Sequence, residues 1–170
     1  MRITGGTWRG RRLRSPDDAR ARPTTERVRE AWMNILQGRL GGARCVDLFA
    51  GTGAMGLEAL SRGAASCDFV ELYQRNLALL GENVASLGAA GAKLFRADAL
   101  RFAAKLAPLE YDIAFADPPY TTRHASRIAD LFRQQPFARI LGVEHDVRED
   151  VGPGEHRRYG TTVLTFLEAD

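Results

Sequence analysis

The sequence predicts an α/β fold: a three-layer sandwich with a mostly parallel sheet, helices on both faces and a closing antiparallel hairpin. Three observations lead there. Short apolar runs alternate with helical periods from residue 43 to residue 145, a Gly-x-Gly-x-x-Gly loop directly follows the first run, and Gly160 separates two final extended segments. A length of 170 residues with 45% apolar and 26% charged supports one core, hence a single domain over 1–170. No stretch approaches the roughly 20 uninterrupted apolar residues of a membrane span, and Met1 to Gly6 has no apolar signal segment. A monomeric cytoplasmic protein without a membrane partner is expected. Cys45 and Cys67 are too few for a disulfide framework and lie in no Cys/His cluster, so no metal is expected.

The first element is a basic extension, residues 1–42. Residues 1–44 carry 11 Arg against Asp17, Asp18, Glu26 and Glu30, a balance of +7, whereas the remainder is −4. An Arg-rich arm on a mildly acidic body suits a polyanion, because cations paired with phosphates release condensed counterions. Arg9, Arg11 and Arg12, with Arg22 and Arg27 further on, are the candidate residues for binding RNA or DNA, and Trp8 is expected to pack inward. After a turn-rich connector over 15–23, Thr24 or Thr25 is expected to cap a helix carrying Val28, Ala31 or Trp32, and Ile35 or Leu36 at helical spacing, ended by Gly38 and Gly41-Gly42.

Strands are then expected at 44–50, 66–71, 92–96 and 111–116, with helices at 54–62, 74–87, 99–106 and 125–134 between and after them. A fifth strand covers 138–145, and 155–159 with 161–167 form the hairpin. The loop Gly51-Thr52-Gly53-Ala54-Met55-Gly56 stands between strand and helix, where glycines permit a tight turn and close approach of a nucleotide. Glu71 ends the second strand, 20 positions after Gly51, placed to accept from ribose hydroxyls. Two cofactors fit this pattern, a nicotinamide dinucleotide or S-adenosyl-L-methionine, and Asp47 beside the loop favours an ammonium or sulfonium over a diphosphate. Asp98 stands on the same edge, to receive an adenine amine or to cap the following helix.

Asp117-Pro118-Pro119-Tyr120 leaves the fourth strand at the carboxyl edge, where open α/β sheets bind ligands. The prolines fix φ and remove two donors, so the Asp117 carboxylate and a peptide carbonyl can converge on one exocyclic NH2 while Tyr120 offers a face to a base. That arrangement suits attack of an amino nitrogen on a methyl carbon. Adenine N6 of DNA and glutamine N5 of protein are alternative acceptors; a dehydrogenase and a non-catalytic RNA-binding assembly factor are the other classes. His124, His145 and His156 have no triad or metal spacing and are expected at the surface or at strand ends, His145 with a possible place in the pocket.

These residues resemble the class I S-adenosyl-L-methionine-dependent methyltransferases, and more closely the RsmD family of bacterial 16S rRNA guanine-N2 methyltransferases. The resemblance is carried by Arg2 to Arg11, Arg22 to Glu30, Asp47 to Arg62, Asp117 to Tyr120 and Arg158 to Thr162. It implies a Rossmann-like, seven-stranded sheet, S-adenosyl-L-methionine as donor, and a guanine of 16S rRNA as acceptor, within an assembling small ribosomal subunit. The same match puts Asp47, Phe49, Gly51, Thr52, Gly53, Glu71 and Asp98 at cofactor positions, with Thr24 and Thr25 in the segment that closes over it. Asp117, Pro118 and Tyr120 fall at the catalytic positions. One departure is length: the stretch from Thr121 to Leu141 and the loop before the hairpin are short beside the family pattern.

Overall fold

A computed structural model of the chain describes residues 1–16, 23–120 and 122–170. The expectation for Arg22, and those for the side chains of Thr24 and Thr25, lie outside what is described. After an N-terminal arm the elements run α1 (Pro23–Ile35), α2 (Gln37–Leu40), β1 (Arg44–Leu48), α3 (Ala54–Ser61), β2 (Ser66–Glu71), α4 (Gln74–Leu87) and β3 (Ala92–Arg96). They continue with α5 (Ala99–Ala104), β4 (Tyr111–Ala116), α6 (His124–Gln134), β5 (Ala138–Asp146), β6 (Glu155–Tyr159) and β7 (Thr162–Glu168).

The seven strands form one sheet in the order β3-β2-β1-β4-β5-β7-β6. β1 to β5 are parallel, while β7 is antiparallel to both β5 and β6. The chain reverses its direction of travel across the sheet between β1 and β4, so a crevice opens at their carboxyl ends. Alternation along the strands divides the core. Cys45, Phe69, Ile113 and Phe115 face α1, α3 and α4, whereas Val46, Val70, Ala114 and Leu141 face α5 and α6. Trp32 of α1 is fully buried and stacks on Phe115 with ring centroids 5.7 Å apart. Burying a side chain of this kind contributes about 1.5–3 kcal/mol, which fastens α1 to the sheet.

The boundaries depart from expectation where local backbone chemistry intervenes. α1 starts at Pro23; proline fits a first helical position because no N–H is needed there. Gly38 does not end the helical region: α2 carries it to Leu40, and the exit is made by Gly41 and Gly42, the latter at φ 72°. β1 stops at Leu48 because Phe49 turns into the left-handed region at φ 61°. Among the described residues no helix is long and apolar enough to cross a membrane.

The arm is built and not loose. Arg2 and Arg12 form an antiparallel bridge, Ile3 and Leu13 are buried, and Trp8 is half-buried against the core, as expected for an inward-packing Trp. Its anchor is Glu58 of α3, which accepts from the Thr4 and Gly5 amides at 2.8 and 3.0 Å and pairs with Arg29 and Arg62 at 3.2 and 3.1 Å. The Arg29 guanidinium also donates to the Arg2 carbonyl. Gly6, at φ 78°, lets this hairpin lie on α3: a Cβ there would stand 1.9 Å from the Ser61 carbonyl oxygen.

Candidate active site

A cleft of about 640 Å³ opens at the carboxyl ends of the parallel strands, a size typical of small-molecule sites. Each of these strands brings an acidic residue to this edge. Glu71, Asp98, Asp117 and Glu144 line the cleft, and its lining holds no lysine or arginine among the described residues.

Asp47, the acidic residue of β1, lies below the cleft rather than on its wall. It is 2% exposed and accepts from the Gly56 amide at 2.9 Å, so it props the glycine loop from beneath. Burial, with a smaller push from Glu71 against the opposing Gly56 hydrogen bond, raises its pKa to about 7. The loop glycines divide their work. Gly51 reaches the cleft and donates to Glu71 Oε1 at 3.0 Å. Gly53 is at φ 93°, and a Cβ there would stand 2.2 Å from Leu80; one at Gly56 would stand 2.4 Å from Phe69. These two glycines therefore allow α3 and α4 to pack closely on β2. Thr52 contributes its carbonyl to Asn83 at 2.9 Å.

Glu71 is fixed by two amides, Gly51 on one oxygen and Tyr73 on the other at 3.2 Å. Glu71 also lines the cleft. Asp98 takes the capping role, accepting from the Arg101 amide at 3.0 Å at the start of α5, and it also lines the cleft. Phe49 forms a wall by stacking on His124, with centroids 5.6 Å apart. The expectation of a surface or strand-end position for His124 is corrected: it lines the cleft at the start of α6, with a buried Nδ1 that has no partner among the described residues. Its signal, an aromatic residue at a helix start beside the cleft, was not visible without the register of α6.

Asp117, Pro118 and Tyr120 stand together at the β4 exit. Thr122 Oγ1 donates to the Pro119 carbonyl at 2.7 Å, whereas the Pro118 carbonyl enters no hydrogen bond among the described residues. Pro118 lines the cleft next to Asp117 in the chain. Surrounding protein, then the Glu144 and Asp47 carboxylates, push the Asp117 pKa well above the usual carboxylate range. Asp117 is nonetheless exposed to the cleft, so water moderates that push until a ligand displaces it. Tyr120 donates to Glu144 Oε1 at 2.9 Å and meets Thr162 Oγ1 at 2.9 Å.

Glu144, which sequence reasoning missed in favour of its neighbour, belongs to this site. Burial raises its pKa, with hydrogen bonds from Tyr120 and Asp117 opposing. His145 points to the other side of β5, held by Thr165 Oγ1 at 2.7 Å and the Asp146 carbonyl at 3.0 Å. The missed signal was positional: four preceding strands each deliver an acid at this edge, and Glu144 continues the series. His156 Nδ1 also meets Thr165, at 2.7 Å, away from the cleft. Among the described residues no group of three or more His, Cys, Asp or Glu could hold a metal. Burial pushes the Cys45 thiol up to about 12 and that of Cys67 higher than its ordinary value, which makes both inert packing residues.

Of the basic candidates, Arg9, Arg12 and Arg27 are exposed. Arg11 is also exposed but donates to the Ser86 carbonyl at 2.8 Å, tying the arm to the end of α4.

The model of the family described as Conserved hypothetical protein 95 matches residues 1–166. Ribosomal RNA small subunit methyltransferase D of Escherichia coli K12 is 44% identical over 120 residues, 71% of this chain and 60% of that protein. The protein of the same name from Buchnera aphidicola of Acyrthosiphon pisum is 34% identical over 152 residues, 88% of this chain and 80% of its own length. The chain thus spans about 60% of the first Escherichia coli relative. Among solved structures, the yhhF protein of Escherichia coli is 34% identical with a TM-score of 0.85, covering 98% of this chain and 96% of its own. The 16S rRNA N2 G1207 methyltransferase of Thermus thermophilus, solved with AdoMet and guanosine, shares the fold at a TM-score of 0.71 and 17% identity, over 91% of this chain and 45% of its own. The agreement of fold and family model over nearly the whole length gives one conclusion: the chain belongs to the Conserved hypothetical protein 95 family, that of the ribosomal RNA small subunit methyltransferases D.

Proposed function

We propose that this protein transfers a methyl group from S-adenosyl-L-methionine to the exocyclic N2 amine of a guanine in small-subunit (16S) ribosomal RNA. The observation that carries the reading is the pair of acceptors at the β4 exit, the Asp117 carboxyl and the unengaged Pro118 carbonyl, opening on a cleft walled by acids. The names of the relatives supply the substrate class, and the exposed Arg9, Arg12 and Arg27 supply a surface for an RNA backbone. An assembling small subunit as the natural substrate, a cytoplasmic location and a monomeric enzyme belong to the same proposal.

The residues present fit the donor. Four carboxylates and no cation on the described cleft wall favour a ligand that brings positive charge and N–H or O–H donors, and disfavour the diphosphate of a nicotinamide dinucleotide. Glu71 would hold the ribose, Asp98 the adenine amine, and the Gly51 turn the amino-acid tail. S-adenosyl-L-methionine supplies a methyl carbon on a positively charged sulfur and leaves as the neutral thioether.

The chain's own contribution is alignment. Asp117 and Pro118 O accept the two amine hydrogens, which turns the nitrogen lone pair away from the ring and toward the methyl carbon. As the N–C bond forms and the C–S bond breaks, the alkylated nitrogen becomes cationic. Asp117 takes its extra proton, a step favoured by the raised basicity of that carboxylate.

Asp117→Ala tests the assignment. It should retain S-adenosyl-L-methionine binding by calorimetry and lose at least about a hundredfold in methyl transfer to small-subunit RNA or particles. Label appearing in DNA or protein but never in RNA would favour the adenine-N6 or glutamine-N5 reading instead.

A further inference from the structure

We propose that Glu144 reads the ring N1–H of the target base and thereby selects guanine over every base with a bare ring nitrogen beside its amine. The inference rests on the methyl-transfer reading and assigns the specificity-determining residue of that site.

Its first support is that no counter-charge explains Glu144 in this buried place. It is 9% exposed, no cation pairs with it among the described residues, and its closest charged neighbour is another carboxyl, Asp117. Two carboxyls in such contact do not both ionise without cost. A ligand that brings hydrogen-bond donors to both removes that cost.

The second support is preorganisation. Tyr120 Oη donates to Glu144 Oε1 at 2.9 Å and also meets Thr162 Oγ1 on β7 at 2.9 Å, so the carboxyl is held from one side. Glu144 and its neighbour Asp117 both line the cleft. The groups that face Glu144 are Tyr120, Thr162 and Asp117, with Asp47 beyond Asp117; His145, next in the chain, is turned away toward Thr165.

The third support is the chemistry of the bases. An amine held by Asp117 and Pro118 O places the adjoining ring position against Glu144. In guanine that position is N1–H, a donor. In adenine it is N1 and in cytosine N3, both acceptors whose lone pairs would be driven against a carboxylate. Guanine alone among the four standard bases presents three N–H bonds along one edge to match three acceptors.

The test separates the base from the amine. Mass mapping first identifies the guanine that the wild-type protein methylates in small-subunit RNA. Ligated RNA is then made with either guanine or 2-aminopurine at that position; the latter keeps the 2-amino group and has an unprotonated N1. Wild-type kcat/KM should favour guanine by at least about tenfold, the discrimination expected of one well-placed hydrogen-bond pair. Glu144→Gln still accepts from Tyr120 through its amide oxygen and turns an N–H toward the ring nitrogen. It should abolish or reverse the preference while leaving the KM for S-adenosyl-L-methionine unchanged. Glu144→Ala should abolish the preference without reversing it, which guards against a Gln variant that folds poorly. An undiminished guanine preference in either folded variant, with methylation intact, overturns the inference alone. A wild-type protein that neither binds the donor nor methylates RNA overturns the methyl-transfer reading and this inference with it.

Discussion

Glu58 illustrates how one side chain can fasten two parts of the molecule. Its carboxylate is inaccessible to solvent and accepts from Thr4, Gly5, Arg29 and Arg62 at once. Removing it leaves the Arg29 guanidinium, 3% exposed, buried without its counter-charge, an arrangement that costs about 3–5 kcal/mol. Glu58→Ala should therefore lower stability by that amount in urea titration and expose the arm to proteolysis near Gly5. By contrast, breaking the exposed Arg14–Glu82 pair at 3.4 Å should change stability by less than about 1 kcal/mol. Trp32 poses the opposite case. Its Nε1 is buried without a partner among the described residues, so Trp32→Phe deletes an unsatisfied donor along with some packing. Thermal unfolding should find its cost well below the roughly 3–5 kcal/mol of Trp32→Ala.

At the scale of elements, the N-terminal arm and the strand exits carry the functional argument. Arg9, Arg11 and Arg12 lie on a hairpin fixed to α3 and α4, which presents their charges on a firm support. Changing all three to Ala should weaken RNA binding and reduce the slope of log K against log salt by up to about 3, one for each phosphate left without its arginine, with donor affinity unaltered. An unaltered slope would mean that the arm faces away from RNA. The strands are legible because short runs set between helical periods and turn residues stand apart in the sequence: 66–71, 92–96 and 111–116 are reproduced residue for residue, although edge strand β3 is nowhere fully buried. The sequence made Asp117, Pro118 and Tyr120 legible as well, because paired prolines after a buried run have few structural uses. Glu144 was hidden for a physical reason. A nine-residue strand such as β5 gives no local mark of where its neighbour ends, and the pairing of Ala116 with Val143 decides that residue 144, rather than 145, meets the cleft. The Glu58 anchor was hidden likewise, since residues 4 and 58 are joined only by the tertiary fold.

At the scale of the whole molecule, the site makes the protein's stability depend on pH in a direction opposite to that of a salt-bridged carboxylate. Asp47 lies buried beneath the glycine loop with its pKa raised from 3.8 to about 7, mainly by burial. The folded state therefore holds its proton more tightly than the unfolded chain does. Stability from this group is fully present below the unfolded value and is lost as pH rises through the folded one. Between about pH 4 and pH 7 the unfolding free energy should fall, with an upper bound of about 4 kcal/mol for this residue alone. Asp117 and Glu144 are shifted in the same direction and add to the trend. Asp47→Asn separates their contributions, because the amide oxygen can still accept from Gly56 while the titration is gone. Urea melts across pH 4–8 should show a shallower decline for the variant and a more stable variant above pH 7. A slope identical to wild type would mean that Asp47 is ionised in the folded protein at little cost, its charge met by water or by a cation beneath the loop.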